Sequence, residues 1–258
     1  MTMSMTEIER HLTALRLPGI RATLPARILQ ADQGMPFLEV LACLIQDEMD
    51  SRQSRLRERR FQLSGLKQRK TLTEFDWSFN PKLPKKEIYH LMTTQFIREG
   101  EDALLLGAPG TGKSHIAKAV AQATIEGGYK VIFREASLFF EDLFEATQLG
   151  TRPKVNKLFS ETDLLIVDDL FLRKKLNGQA ADDLLDIILN RYTARKSTMI
   201  TSNRPIEDWG GLLRDNAASS AILDRLLHRG HLLQFEGKSY RLKEASTRFL
   251  KSRLNETG

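Results

Sequence analysis

The segment Gly107-Ala108-Pro109-Gly110-Thr111-Gly112-Lys113-Ser114 constrains the fold of this chain more than any other. It fits the G-x-x-x-x-G-K-[ST] phosphate loop. It follows the apolar run Ala103-Leu104-Leu105-Leu106, which reads as a buried strand, and precedes Ile116–Ala121, which reads as a helix. That strand–loop–helix context is the one the motif requires. Gly107, Gly110 and Gly112 let the backbone curl so that successive N–H groups face phosphate oxygens, and the following helix adds its positive end behind them. Lys113 is placed to bridge β- and γ-phosphates and the Ser114 hydroxyl to ligate Mg²⁺. Ala108, Pro109, Thr111 and His115 complete the expected nucleotide-binding stretch.

From about residue 75 onward, strand and helix signals alternate, which argues for a parallel sheet covered on both faces. Strands are expected at 103–106, 130–134, 163–168, 197–201 and 231–235, with helices at 81–97, 113–126, 137–148, 179–194 and 219–228. The first third reads as helices. Ile8, Leu12, Leu15 and Leu17 form one short pattern, ended by Pro18-Gly19, and Ile20, Leu24, Ile28 and Leu29 form a second. A longer helix begins at Pro36, runs through Leu38, Leu41, Leu44, Ile45 and Met49, and becomes arginine-rich. Ser64-Gly65 and the polar run to Thr73 mark a linker. The expected domains are therefore a helical one over 1–72 and an α/β one over 73–258.

Charge placement is more informative than the net value of +6. Residues 51–70 carry +7, whereas residues 1–50 hold four Arg against seven acids. A concentrated basic block points to phosphate backbones, with a solvated helix face as the bland alternative. Arg52, Arg55 and Arg59 share a helical face, and Lys67, Arg69 and Lys70 follow. Arg152, Lys154 and Lys157 form a second candidate patch in a segment with little core-forming material. Arg173-Lys174-Lys175 reads as solvated loop. Without aromatic interleaving, contact with duplex phosphates, independent of sequence, is the simplest expectation. Cys43 reads as a small core residue in a reducing compartment, and the five His show no ligand spacing. No run approaches a membrane span and no secretory leader is indicated, which makes the cytoplasm the default.

Leu164-Leu165-Ile166-Val167-Asp168-Asp169 is an apolar strand ending in two carboxylates, the Walker B pattern. Asp168 at the strand tip suits Mg²⁺. Asp169 is expected to point elsewhere by strand alternation and to orient or deprotonate an attacking water. Asn203, after the strand at 197–201, suits a sensor of the γ-phosphate and that water. Arg225, with Arg229 as second candidate, could stabilise transition-state charge on a neighbouring subunit's nucleotide. The absence of Asn-Lys-x-Asp disfavours GTP, and no acceptor pocket for a metabolic kinase is visible.

Together, Gly-Ala-Pro-Gly-Thr-Gly-Lys-Ser, Val-Asp-Asp-Leu, Thr-Ser-Asn-Arg-Pro and Leu-Asp-Arg-Leu-Leu-His-Arg-Gly resemble the AAA+ ATPases of the DnaA/DnaC-like clade. Leu15–Ile20, Thr71–Trp77 and Gly237–Arg241 extend the resemblance to the IstB family, helper ATPases of a class of bacterial insertion sequences. That resemblance implies a three-layer P-loop domain with a five-stranded parallel sheet of order 5-1-4-3-2. It also implies ATP and Mg²⁺ as cofactors and a homo-oligomer, ring or filament, on target DNA, with the element's transposase as partner. A DnaC-like helicase loader is the alternative. Two departures stand out: the second Walker B acid is Asp169 rather than Glu, which predicts slow hydrolysis, and too few residues follow 235 for a full helical lid. Arg241 is the candidate substitute for a lid-borne sensor.

Overall fold

The structure, a computed structural model, describes residues 3–171, 179–243 and 245–246. It divides into two compact units, Met1–Arg60 and Phe61–Gly258. The first holds α1 (Met5–Ala14), α2 (Pro18–Asp32) and most of α3 (Phe37–Ser64). Ser4 and Glu7 form a capping box that starts α1. Pro18 occupies the first position of α2, so Pro18-Gly19 opens a helix as well as following one. Gly19 lies so close to α3 that a Cβ would sit 2.6 Å from the Asp47 carbonyl oxygen. The Glu48 carboxylate accepts the Gly19 and Ile20 N–H groups at 2.7 and 3.3 Å, placing negative charge at the α2 N-terminus. Arg27 clamps Asp47 at 2.7 Å and, with a Thr23 hydrogen bond, holds the pKa of its carboxyl at about 2.

The apolar side of α3 is not a core. Leu38, Leu41, Ile45 and Met49 are exposed, and Cys43 is only partly covered. Phe61 and Leu66, by contrast, pack into the core of the second unit. The division therefore falls within α3, ahead of the position near 72 read from the polar linker.

The second unit continues with α4 (Lys85–Met92), α5 (Gln95–Glu99), β1 (Asp102–Gly107), α6 (Lys113–Glu126), β2 (Val131–Glu135), α7 (Ala136–Gln148) and α8 (Arg152–Glu161). Then come β3 (Leu164–Leu170), α9 (Gln179–Thr193), β4 (Ser197–Ser202), α10 (Trp209–Leu213), α11 (Asn216–His228) and β5 (Gly230–Phe235). All five strands are parallel in the order β2-β3-β4-β1-β5, the order 5-1-4-3-2 read from the other edge. Alternation along the strands divides the core. Leu104, Leu106, Leu165, Val167 and Ile200 face α7, α9 and α11. Ala103, Leu105, Leu164, Ile166 and Met199 face α4, α5 and α6.

Two helical readings change. The expected helix over 81–97 is broken in two, because Thr94 adopts φ 59° while the Thr93 hydroxyl donates to the His90 carbonyl and accepts the Gln95 N–H. The segment after Gly150, for which the sequence predicts no element, is a helix, α8. Its Phe159 is fully buried and stacks on Phe139 at 5.0 Å. Arg191 of α9, fully buried, donates to the carbonyls of Phe159, Thr162 and Ser197, tying α8 to the starts of β3 and β4. The Arg173-Lys174-Lys175 cluster lies outside the described residues.

Candidate nucleotide site

The tips of β1, β3 and β4 lie side by side at their carboxyl ends, where Leu106 and Leu170 both pair with Ser202. This is where an open α/β sheet holds its ligand. The phosphate loop leaves β1 through Gly107, and α6 begins at Lys113. Its glycines answer to neighbours as well as to curvature. A Cβ on Gly107 would overlap the Phe235 carbonyl of β5, and one on Gly112, at φ 109°, would lie 2.7 Å from the Phe75 ring. Thr111 Oγ1 donates to the Ala108 carbonyl at 2.8 Å and closes the loop. Lys113 Nζ donates to the Gly107 and Ala108 carbonyls at 2.7 and 2.9 Å. Burial lowers the pKa of this ammonium, and Asp169 and Asp168 oppose the shift.

Asp168 is buried beneath the loop. Burial raises its pKa, and the Thr201 hydrogen bond, with a smaller influence from Ser114, works against that rise. The Thr201 hydroxyl donates to Asp168 Oδ1 at 2.6 Å and accepts the Asp169 N–H at 2.8 Å. Asp169 itself departs from the expectation of simple alternation. The β3–β4 register shifts between Val167 and Leu170, Asp169 takes φ 56°, and it lines the cleft beside Lys113 and Ser114. A bulge, not the strand pleat, aims it. Asn203 lines the same cleft, and its buried Oδ1 has no hydrogen-bond partner among the described residues. Such an unpaired acceptor suits a water or ligand donor. The hard oxygens of Ser114 and Asp168, whose interaction lowers the Asp168 pKa, are a donor pair that fits Mg²⁺.

The opposite wall is not legible as a binding surface in the sequence. Glu74, Phe75, Asp76, Phe79 and Asn80 ahead of α4, with Tyr240 and Arg241 after β5, line the cleft. Asn80 exchanges two hydrogen bonds with the Lys238 backbone at 2.9 and 3.0 Å, and Lys243 pairs with Asp76 at 3.1 Å. The Tyr240 N–H donates to the Gly110 carbonyl at 2.9 Å. His115 reaches the Thr71 carbonyl at 3.1 Å and packs against Phe75. Segments 71–77 and 237–241 stand out in the sequence only through family resemblance.

The remaining candidates lie elsewhere. Arg225 is on α11, bonded to Asp224 at 3.0 Å and outside the residues lining its own cleft; Arg229 covers the Tyr192 ring. Among the basic candidates, Arg52 and Arg55 pair with Glu48 at 2.7 and 3.6 Å, Arg69 lies over Phe61, and Lys70 pairs with Glu74. Arg152 is sequestered: it bonds Asp183 at 2.7 Å, Asn156 at 2.8 Å and the Leu143 carbonyl at 3.2 Å. Arg59, Lys67 and Lys154 are exposed, and exposed Lys157 lies 3.8 Å from Glu161.

The sequence profile described as IstB-like ATP binding protein matches residues 10–248. The chain belongs to the IstB-like ATP-binding family. One relative, the insertion sequence IS21 putative ATP-binding protein of Pseudomonas aeruginosa, is 32% identical over 93% of this chain and 90% of its own length. An insertion-sequence ATP-binding protein of Mycobacterium tuberculosis is 32% identical over 91% and 93% respectively. Among solved structures, AMPPCP-bound DnaA from Aquifex aeolicus superposes with TM-score 0.56 at 23% identity, over 72% of this chain and 55% of that one. The DnaC helicase loader gives 0.51 at 24%, over 58% and 87%. These likenesses show that the chain shares its fold with DnaA and DnaC. Among the described residues, no helix is long and apolar enough to cross a membrane.

Proposed function

We propose that this chain is an ATP-controlled helper of transposition that assembles on target DNA, recruits its element's transposase and stimulates insertion. The observation that carries this reading is the extent of the match: a relative named for an insertion sequence aligns over 93% of the chain. In this reading the loop amides and Lys113 hold the phosphates. Ser114 and Asp168 would hold Mg²⁺, which would draw charge from the β- and γ-phosphates. Asp169 and Asn203 face the position from which water attacks, and the short Asp169 side chain keeps hydrolysis slow. Arg225, outside its own cleft, reaches a neighbour's nucleotide, so that hydrolysis follows assembly. The exposed apolar row of α3 is material for subunit or transposase contacts in the N-terminal unit. Arg59, Lys67 and Lys154 grip duplex phosphates without reading bases.

The test is assembly on duplex DNA, followed by electron microscopy and salt-titrated binding, with ATP, ADP and Lys113→Ala. Ordered oligomers that need ATP and Lys113, with affinity falling steeply as salt rises, support the reading. Engagement of single strands or a replicative helicase, without duplex binding, refutes it in favour of a helicase loader.

A further inference from the structure

Three ligand-bearing side chains that lie far apart in the sequence meet at the edge of the sheet. His90 is in the last turn of α4, Glu101 immediately precedes β1, and His231 is near the start of β5. One ligand atom from each falls within 4.8 Å of the others, and all three residues are partly buried. His231 Nε2 and Glu101 Oε2 are 2.9 Å apart, and the His90 and His231 rings lie 5.1 Å apart at 60°. No sequence spacing suggests ligands, because the three come from separate elements.

From this cluster we propose a binding site for a late first-row transition ion, Zn²⁺ in the cell, held by His90, Glu101 and His231. The donor set decides the ion class. Two imidazoles and one carboxylate suit Zn²⁺ and its neighbours, whereas Mg²⁺ and Ca²⁺ take oxygen ligands. Zinc–ligand bonds of about 2.0–2.1 Å separate tetrahedral ligand atoms by roughly 3.4 Å. The His231–Glu101 pair is already that close, and the cluster needs only side-chain rotation to close around an ion. An ordinary ion pair would need one imidazole, not two. His231 also occupies the core-facing row of β5 that continues as Leu233 and Phe235, where an apolar residue would otherwise be expected. Three protein ligands leave a fourth position for water or an outside donor.

The ion would staple α4 and the lead-in to β1 onto edge strand β5. The chain before α4 and the chain after β5 form the wall of the nucleotide cleft, so the staple would anchor both segments at their far ends. The site shares no residue with that cleft.

The experiment is a Co²⁺ titration of the full chain, stripped with chelator and without nucleotide, with millimolar Mg²⁺ present to fill oxygen-ligand sites. One equivalent is expected to produce a visible ligand-field band that Zn²⁺ abolishes, and Zn²⁺ is expected to raise the Tm. His90→Ala and His231→Ala lose the band. Glu101→Gln, which keeps the size and a hydrogen bond to His231, weakens it. His11→Ala, on α1, retains it. A wild-type chain with no band at one equivalent, or a band that survives both His90→Ala and His231→Ala, overturns the proposal.

Discussion

Replacing Thr201 with Val tests how the two Walker B carboxylates are held. Thr201 is fully buried, and Val keeps its shape while deleting the hydroxyl. The hydroxyl donates to Asp168 at 2.6 Å and accepts the Asp169 N–H at 2.8 Å, so one change breaks a charge-assisted bond and orphans a backbone donor. The two losses are worth about 1.5–3 and about 1–3 kcal/mol, and partial relaxation makes ~3 kcal/mol the expected loss of stability. The consequence for binding has a definite sign. Burial already raises the Asp168 pKa, and the Thr201 bond is the largest influence opposing that rise. Without it the carboxyl titrates higher still. In the proposed reading Asp168 holds Mg²⁺ as a carboxylate, so as pH falls Mg²⁺-dependent ATP binding should fail at a higher pH in the variant. Loss of a positioning partner to a metal ligand weakens metal affinity roughly tenfold or more. The assay is fluorescent-ATP binding with and without Mg²⁺ across a descending pH series, alongside urea unfolding. Thr201→Ser restores both bonds. A Thr201→Val protein that is folded and shows wild-type Mg²⁺ dependence at every pH refutes the assignment.

Three further tests separate structural from functional charge. Burial raises the Asp102 carboxyl from 3.8 to about 7, so the folded state holds its proton longer than the unfolded chain and stability is lost as pH rises through that window. Asp102→Asn can still accept the Thr198 N–H; its stability gain over wild type should grow from near zero at about pH 4 to on the order of 4 kcal/mol at about pH 8, and a flat difference in unfolding midpoints across that range contradicts it. Arg152→Ala should lose about 1–3 kcal/mol of stability with little change in the salt slope of DNA binding, whereas Lys154→Ala should lower that slope by about 1 and leave unfolding unchanged. Salt-titrated binding decides between them, and the reverse pattern sinks the placement. Arg225→Ala should leave ATP affinity intact while ATPase activity stops rising with protein concentration; a loss of ATP affinity in dilute protein argues against action on a neighbour's nucleotide.

Much of the ATP-binding core is visible in local pattern. A strand's apolar run, a glycine-rich turn and the helix after it are contiguous, and each central strand end carries its own motif. The observed strands therefore lie within about two residues of those expected, and α6 spans the expected 113–126. Local pattern misleads where tertiary contacts override it. The lack of core-forming material at 151–154 suggests exposure, and Pro153 and Lys154 are exposed, but Arg152 is held by Asp183 and the segment is a helix anchored by Phe159 on Phe139. Along the amphipathic pattern of α3, Leu38, Leu41, Ile45 and Met49 are exposed, whereas Leu44 is half-buried and neighbouring Val40 is buried.

The sequence alone determined the phosphate loop, the Walker B strand and the parallel alternation of elements, because these depend on neighbours a few residues apart. Only the tertiary structure decided what walls the other side of the cleft. There the chain ahead of α4 meets the chain after β5, and the Asn80–Lys238 hydrogen bonds join them across 158 residues. The tertiary structure also placed Thr201 between the two Walker B acids and brought His90, Glu101 and His231 together. The physical reason is the same in each case. These groups are joined by contacts between distant segments, and such contacts exist only once the sheet has set its strand order and register.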